Sequence, residues 1–212
     1  MTGGASLVSE SIVNGIGGRR GLLDSGLPTA VFVVVYLATG SELMPSVWAA
    51  LGAGVVVVVV RSVRREPLQQ IFVGFCGVAI SAFLAARTGR AEDFFLPGLL
   101  VNAVYGAAFA GSALVNRPLL GYAAGALTQD LTSWRDDPAS LRAAGAATWL
   151  WAAMFGLRLV VQVPLFLAGM VGALGVAKLV MGWPLYLFAA YLSYRILRGV
   201  LPGGRATSQT DD

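Results

Sequence analysis

The strongest constraint on this chain is a series of long apolar stretches that carry almost no charge. One of them, residues 44–60, contains no charged side chain and ends in six consecutive valines. A helix needs about 20 mainly apolar residues to cross a hydrocarbon core of about 30 Å. Hydrophobic residues make up 57% of the chain and charged residues 12%, which is about half the charged share of a soluble domain. The sequence therefore predicts a multi-pass membrane protein of the all-α class.

Six stretches are predicted to cross the membrane. They are residues 27–39, 44–60, 68–86, 94–115, 145–169 and 171–194. The first is short and contains Pro28, so a spanning helix and a re-entrant helix both remain open. A short amphipathic helix at 118–127 and a polar linker at 128–142 separate the fourth and fifth spans. The chain is thus predicted to have a mobile tail at 1–20, a transmembrane helical bundle at 21–200 and a second mobile tail at 201–212.

The basic residues predict the orientation of the bundle. Six spans place both termini on one side, and eleven arginines fall on that side: Arg19, Arg20, Arg61, Arg64, Arg65, Arg117, Arg135, Arg142, Arg195, Arg198 and Arg205. Only Arg87 and Arg90 fall on the opposite side. Because cytoplasmic loops carry an excess of Lys and Arg, we expect both termini in the cytoplasm of a bacterial cell, with the bundle in its cytoplasmic membrane.

Two cations, Arg158 and Lys178, lie inside predicted spans, where each costs several kcal/mol unless it has a partner, water or a route to the interface. A tight turn near Gly169 is predicted to join the last two spans. The helical rise then places Arg158 about 16 Å and Lys178 about 13 Å from that turn. Pro164 and Pro184 lie inside the same two spans and are expected to kink them.

Three uncharged polar residues are predicted at comparable depth, and they complete a candidate ligand-binding set. The set is Arg158, Lys178, Gln162, Asn102 and Tyr105. The spans contain no acid to neutralise the cations, and the nearest acids, Glu92 and Asp93, join Arg87 and Arg90 in a polar outer mouth. Two interpretations stay open for Arg158. It stabilises a bent helix below Pro164, or it belongs to a basic pocket for an anionic lipid phosphate or carboxylate.

Other chemistries are not favoured. The chain has no histidine and a single cysteine, Cys76, so it lacks the residues for His-based catalysis, for a His/Cys metal site or for an internal disulfide. No nucleophile–base pair or acidic Mg²⁺ motif accompanies the spans, so an enzyme is the least favoured class and no cofactor or metal is expected. Apolar runs separate the basic clusters, which argues against nucleic acid as a partner.

Gly121 and Gly125 form a pair of small residues four positions apart, a spacing that lets helices pack closely. This packing can occur within one bundle or between the subunits of a homo-oligomer.

Ordered landmarks along the chain resemble an actinobacterial family of integral membrane proteins of unknown function. The landmarks are Leu27-Pro28 with Phe32 and Tyr36, Arg87-Thr88-Gly89-Arg90-Ala91, residues 93–98 with Asn102, Arg117-Pro118-Leu119, Trp151 to Arg158 with Gln162 and Pro164, and Gly182-Trp183-Pro184-Leu185. The chain is more distantly similar to intracellular septation protein A. That similarity rests on Arg117-Pro118-Leu119, on the aromatic span with Trp151 and Phe155, and on Lys178.

The resemblance covers roughly residues 21–198 and implies a helical bundle and a role in the cell envelope or in division, without an agreed reaction. We therefore expect a non-enzymatic scaffold or lipid-interacting protein, whose partners are membrane lipids, anionic ones in particular, or other envelope and division proteins. The alternative is a small transporter or channel for an anionic or amphipathic solute. A water-filled cavity that reaches Arg158 would favour transport, and a lateral opening toward lipid would favour lipid binding.

Overall fold

A computed structural model describes residues 18–65, 68–128 and 133–198, and these residues form eight α-helices and two short 3-10 helices. The α-helices are α1 Gly18–Ala38, α2 Leu43–Val63, α3 Leu68–Thr88, α4 Leu96–Leu114, α5 Leu119–Thr128, α6 Pro138–Leu167, α7 Val171–Val180 and α8 Trp183–Leu197. The 3-10 helices are Ala91–Phe95 and Ser133–Arg135. The described residues contain no strand, so the all-α prediction is confirmed for them. The predicted tails lie outside the described residues, except that α1 already begins at Gly18.

Four helical stretches among the described residues are long and apolar enough to cross a membrane. They are Leu43–Val63, Ala91–Leu114, Pro138–Leu167 and Val171–Leu197. Between 17% and 28% of the residues in their apolar windows are buried within the protein, so most of these residues are half-buried or exposed, as lipid surroundings allow. The first and third predicted spans fall on two shorter apolar helices, Gly26–Ala38 and Phe72–Thr88. The count of six spans is therefore not confirmed.

The fifth predicted span begins earlier than expected, inside the predicted polar linker. The helix α6 starts at Pro138, and the carboxylate of Asp137 accepts hydrogen bonds from the backbone N–H groups of Ala139 and Ser140. An acidic residue followed by proline is a recognised helix start. The carboxylate accepts hydrogen bonds from first-turn N–H groups, and proline has no N–H that would need an acceptor. The apolar run alone did not indicate this start.

The last predicted span, residues 171–194, is not one continuous helix. The helix α7 ends at Val180, and α8 begins at Trp183 with Gly182 before it and Pro184 in its first turn. The predicted kink at Pro184 is therefore wrong, since a first-turn proline initiates a helix and removes no internal hydrogen bond. Pro164 does lie inside α6 as predicted.

The chain divides into two compact units. Unit 1 comprises Met1–Pro97 and Leu165–Leu179, and unit 2 comprises Gly98–Pro164 and Val180–Asp212. In unit 1 the rings of Phe32 and Phe94 stack with their centroids 4.0 Å apart, and both rings are buried. Small and aliphatic side chains complete this core: Val47, Ala50, Ala82, Ala85, Val171 and Leu174.

The tight turn predicted near Gly169 is present in unit 1. Gly169 has a φ of 64°, a left-handed conformation that glycine adopts without strain. Its N–H donates to the carbonyl of Phe166, and the N–H of Met170 donates to the carbonyl of Leu165. This pair of hydrogen bonds is the Schellman motif, which satisfies the last carbonyls of a helix.

In unit 2, α4 and α6 pack in antiparallel orientation through aromatic rings. The ring of Phe109 lies 5.7 Å from that of Trp151, and the ring of Tyr105 lies 5.6 Å from that of Phe155. The helices approach closely at Gly106, where a Cβ atom would lie 3.3 Å from Cβ of Phe155. A glycine at this point allows the short distance between the two backbones.

Candidate functional site

Arg158 is buried in the interior of unit 2. Its side chain is 7% exposed, and its guanidinium carbon lies 5.0 Å from the centroid of the Tyr186 ring. A cation over an aromatic face is stabilised by about 2 kcal/mol when both groups are desolvated. This contact offsets only part of the several kcal/mol that burying the cation costs.

Gln162 lies one turn further along α6 and is 3% exposed. Among the described residues, Nε of Arg158 and Nε2 of Gln162 are buried without a hydrogen-bond partner. A buried donor without an acceptor costs about 1–3 kcal/mol. We refer to Arg158 and Gln162 together as the donor pair.

The contacts between α6 and α8 show which part of α8 lies beside Arg158. Trp151 donates a hydrogen bond to Ser193, and the Arg158 guanidinium lies over the ring of Tyr186. The later residue of α6 thus contacts the earlier residue of α8, so the two helices are antiparallel. The ring of Tyr186 also lies 6.0 Å from the rings of Trp151 and Phe155.

Asn102 is also buried in unit 2, at 6% exposure. The antiparallel register of α4 and α6 pairs Tyr105 with Phe155, so Asn102, three residues earlier on α4, is level with Arg158. Tyr105 itself is 52% exposed and stacks on Phe155. Unit 2 thus brings Arg158, Gln162 and Asn102 to neighbouring levels, with Tyr105 at the edge of the set.

Lys178 lies in unit 1, at the end of α7, and is half-buried. Its Nζ atom lies 5.4 Å from the centroid of the Phe95 ring, which belongs to the core of unit 1. Its predicted participation in one site with Arg158 stays a prediction. Within unit 1, the aromatic face of Phe95 contributes to holding the ammonium.

Two of the four outer-mouth residues, Arg90 and Glu92, form a local ion pair in unit 1. Nε of Arg90 donates to Oε1 of Glu92 at 2.8 Å, and this hydrogen bond raises the pKa of the exposed Arg90 above its ordinary value. Asp93 is buried in the first 3-10 helix, whereas Arg87 is exposed at the end of α3.

In the part of the chain that the structure describes, no group of three or more cysteine or acidic side chains could hold a metal ion.

Sequence reasoning missed two features of unit 2, the contact of Tyr186 with Arg158 and the helix break at Gly182. The signal for the break was present in Gly182-Trp183-Pro184, because glycine followed closely by proline is typical of a helix start. No local signal identified Tyr186 as the residue opposite Arg158, since that pairing depends on how two distant helices pack.

The apolar helices and the buried polar set of unit 2 define a helical, membrane-embedded protein. The chain belongs to the family described as "Protein of unknown function (DUF3159)", which matches residues 16–203. No curated protein and no solved structure matches it. The predicted membership of a family of unknown function is confirmed. The comparisons give no support to the similarity to septation protein A or to an actinobacterial origin.

Proposed function

We propose that this protein binds an anionic amphipathic ligand, in the first place a membrane lipid, at the donor pair of unit 2. The observation that carries the proposal is the burial of two hydrogen-bond donors, Nε of Arg158 and Nε2 of Gln162, without an acceptor among the described residues. An oxyanion offers both an opposite charge and several acceptors, and a guanidinium binds such groups with high directionality.

The alternative interpretation gives Arg158 a purely structural role, about one turn and a half before Pro164 of α6. Pro164 removes one internal hydrogen bond and so frees the carbonyl of Val160. Nε of Arg158 nevertheless has no acceptor within the described residues. A structural role would leave the cost of this buried donor uncompensated, which favours the ligand.

The surroundings of the donor pair suit a ligand with an apolar chain. Val160 on α6 is 71% exposed, and Val104 on α4 and Phe188 on α8 also face outward. In a membrane these side chains contact acyl chains, so a lipid can place its head group near Arg158 while its chains remain in the bilayer. A soluble anion would gain nothing from such surfaces.

We place the protein in a bacterial cytoplasmic membrane, with both termini in the cytoplasm, as the basic residues predict. The role proposed there is that of an envelope- or septation-associated scaffold or lipid-interacting protein. Other envelope or division proteins, or a second copy of this chain, are its proposed partners. The division role rests on the sequence resemblance to septation protein A alone, whereas lipid binding rests on the donor pair.

A transporter or channel for an anionic solute is the second candidate. The helix break between Val180 and Trp183 favours it, because interrupted membrane helices commonly form the binding sites of transporters. Transport that is coupled to protons or other cations normally uses acidic residues inside the membrane. The sequence predicts no acidic residue within the spans, so this candidate would move its solute without such coupling.

The test is retention of lipid through gentle purification, measured by native mass spectrometry after equilibration with equal amounts of phosphatidylglycerol and phosphatidylethanolamine. The parent should retain the anionic lipid preferentially, and Arg158→Gln should lose that preference. Arg195→Gln is the matched control, because Arg195 also contacts a tyrosine, Tyr191, but is exposed. Lys178→Gln tests whether Lys178 belongs to the same site.

Equal retention by the parent and Arg158→Gln would overturn lipid binding at this site. Saturable uptake of an anion into proteoliposomes, present in the parent and absent in Arg158→Gln, would then establish the transporter instead.

A further inference from the structure

We infer that Tyr186 is a positioning residue for the proposed ligand: its ring holds the Arg158 guanidinium in place and leaves a hydrogen-bond donor of that guanidinium available. This inference rests on the proposed function and adds the residue that prepares Arg158 for an anion. Two observations carry it. The guanidinium carbon lies over the Tyr186 ring, 5.0 Å from its centroid, and Nε of Arg158 is buried without an acceptor among the described residues.

The ring of Tyr186 stabilises the buried cation without using its hydrogen-bond donors. An aromatic face is negative and attracts a cation electrostatically. The N–H donors of a guanidinium lie around the edge of its plane and are satisfied by oxygen acceptors. An acidic partner would occupy these donors and neutralise the charge, but the described helices α4, α6 and α8 contain no acidic residue. The contact with Tyr186 thus keeps the charge of Arg158 available to an oxyanion.

The Tyr186 ring is itself held by the aromatic side chains of α6. It lies 6.0 Å from the ring of Trp151 and 6.0 Å from that of Phe155, which is buried. Trp151 in turn donates its hydrogen bond to Ser193 of α8. The ring therefore has little freedom to move away from the guanidinium. Because it occupies one side of the guanidinium, the anionic group of the ligand must bind along the other sides.

Holding Arg158 in place matters because its side chain is long and flexible. An arginine without a partner in apolar surroundings extends its charged head toward water or the membrane interface. A ligand would then have to draw the guanidinium back and order it, which weakens binding. We therefore expect loss of the Tyr186 ring to reduce anion binding although Arg158 is still present.

The role of the ring is tested with Tyr186→Phe and Tyr186→Leu in the full chain, equilibrated in detergent with equal amounts of phosphatidylglycerol and phosphatidylethanolamine. Native mass spectrometry measures the ratio of the two lipids on the folded protein. Tyr186→Phe keeps an aromatic face and should retain most of the preference for phosphatidylglycerol. Tyr186→Leu should lower the ratio by about twofold to thirtyfold, as expected for the loss of a cation–aromatic contact.

Tyr191→Leu is the matched control, because Tyr191 lies on the same helix and contacts Arg195 at 5.9 Å, but is exposed. This substitution should leave the lipid ratio unchanged. A fall equal to that of Tyr186→Leu would show that the loss of any tyrosine of α8 has this effect, and it would overturn the specific role of Tyr186.

A second series separates positioning from packing. Tyr186 is replaced by phenylalanine that carries one, two or three ring fluorines, which withdraw electron density from the ring face and change its size little. The lipid ratio should fall stepwise as fluorines are added, since the attraction depends on the negative face. A role in packing alone predicts the same ratio throughout, and that result would contradict the inference even if Tyr186→Leu does not fold.

An equal or higher ratio in Tyr186→Leu than in the parent would overturn the inference. Should Arg158→Gln lose the preference in that case, the proposed function would stand while the role of Tyr186 fails. Should Arg158→Gln keep the preference, the proposed function and this inference would fail together.

Discussion

The indole Nε1 of Trp151 donates a hydrogen bond of 2.9 Å to the hydroxyl oxygen of Ser193, which is buried. This bond joins α6 to α8 two turns away from the contact between Arg158 and Tyr186. Because the helices are antiparallel, the bond and the ring contact together hold α8 beside the buried face of α6 that carries Arg158.

Ser193→Ala should destabilise the protein by about 0.6 kcal/mol, the mean measured for hydrogen bonds between membrane helices, and by no more than about 1.7 kcal/mol. The substitution leaves the N–H of Trp151 without its acceptor. Unfolding in a denaturing detergent measures the loss. In a double-mutant cycle with Trp151→Phe, the two losses should not add, because either change removes the same bond. Full additivity would show that the bond contributes nothing.

Gly175→Ala should destabilise unit 1 by about 1–3 kcal/mol through overpacking. A Cβ at this position would collide with Cγ2 of Val33 and lie 3.1 Å from its Cγ1. Val33 cannot rotate away easily, since branched side chains have one preferred rotamer in a helix. Gly172→Ala is the control, because its Cβ would lie at an ordinary 3.5 Å from Leu37. Equal losses in the two variants would contradict the steric explanation, and Val33→Ala should rescue Gly175→Ala.

Arg158→Met should be at least as stable as the parent, although it should lose retention of anionic lipid. Met restores much of the volume while removing a buried cation whose Nε has no acceptor in the described part of the chain. Arg158→Ala should be less stable than Arg158→Met, because it leaves a cavity. Denaturation of lipid-free protein measures both. A clearly destabilised Arg158→Met would support a structural role for the guanidinium.

Single cysteines should report the predicted orientation in a variant whose Cys76 is replaced by alanine. Cysteines at Thr39 and Thr88 should react with an impermeant thiol reagent added to intact cells, and cysteines at Ser62 and Asn116 should not. All four positions are exposed, so a failure to react reports the side of the membrane rather than burial. Protection at Thr39 alone would show that α1 does not cross, and the opposite pattern throughout would reverse the orientation.

Neutralising the outer-mouth ion pair should leave the unfolding midpoint unchanged. The Arg90 side chain is 57% exposed in its pair with Glu92, and exposed ion pairs are screened by water and salt. Arg90→Gln and Glu92→Gln, each compared with the parent at low and high salt, provide the measurement. A salt-dependent loss of stability in both variants would assign this pair a larger structural role than its exposure predicts.

The sequence by itself determined which segments are apolar helices and where several of them end. These features depend on local chemistry: a run such as residues 44–60 has few alternatives to a helix in lipid, and Gly169 adopts the left-handed conformation that ends α6. The sequence also indicated that Arg158 is an intramembrane cation without a nearby acid, because that conclusion needs only the positions of charges along the chain.

Only the tertiary structure decided what surrounds Arg158. Tyr186 is far from Arg158 in sequence, and their contact depends on the register of two packed helices. The interruption of the last predicted span at Gly182 was hidden by the apolar character of the residues on both sides, since hydropathy does not distinguish one helix from two. Side-chain packing between distant helices, which no local pattern encodes, buried Arg158 and Gln162 and placed the ring of Tyr186 against the guanidinium.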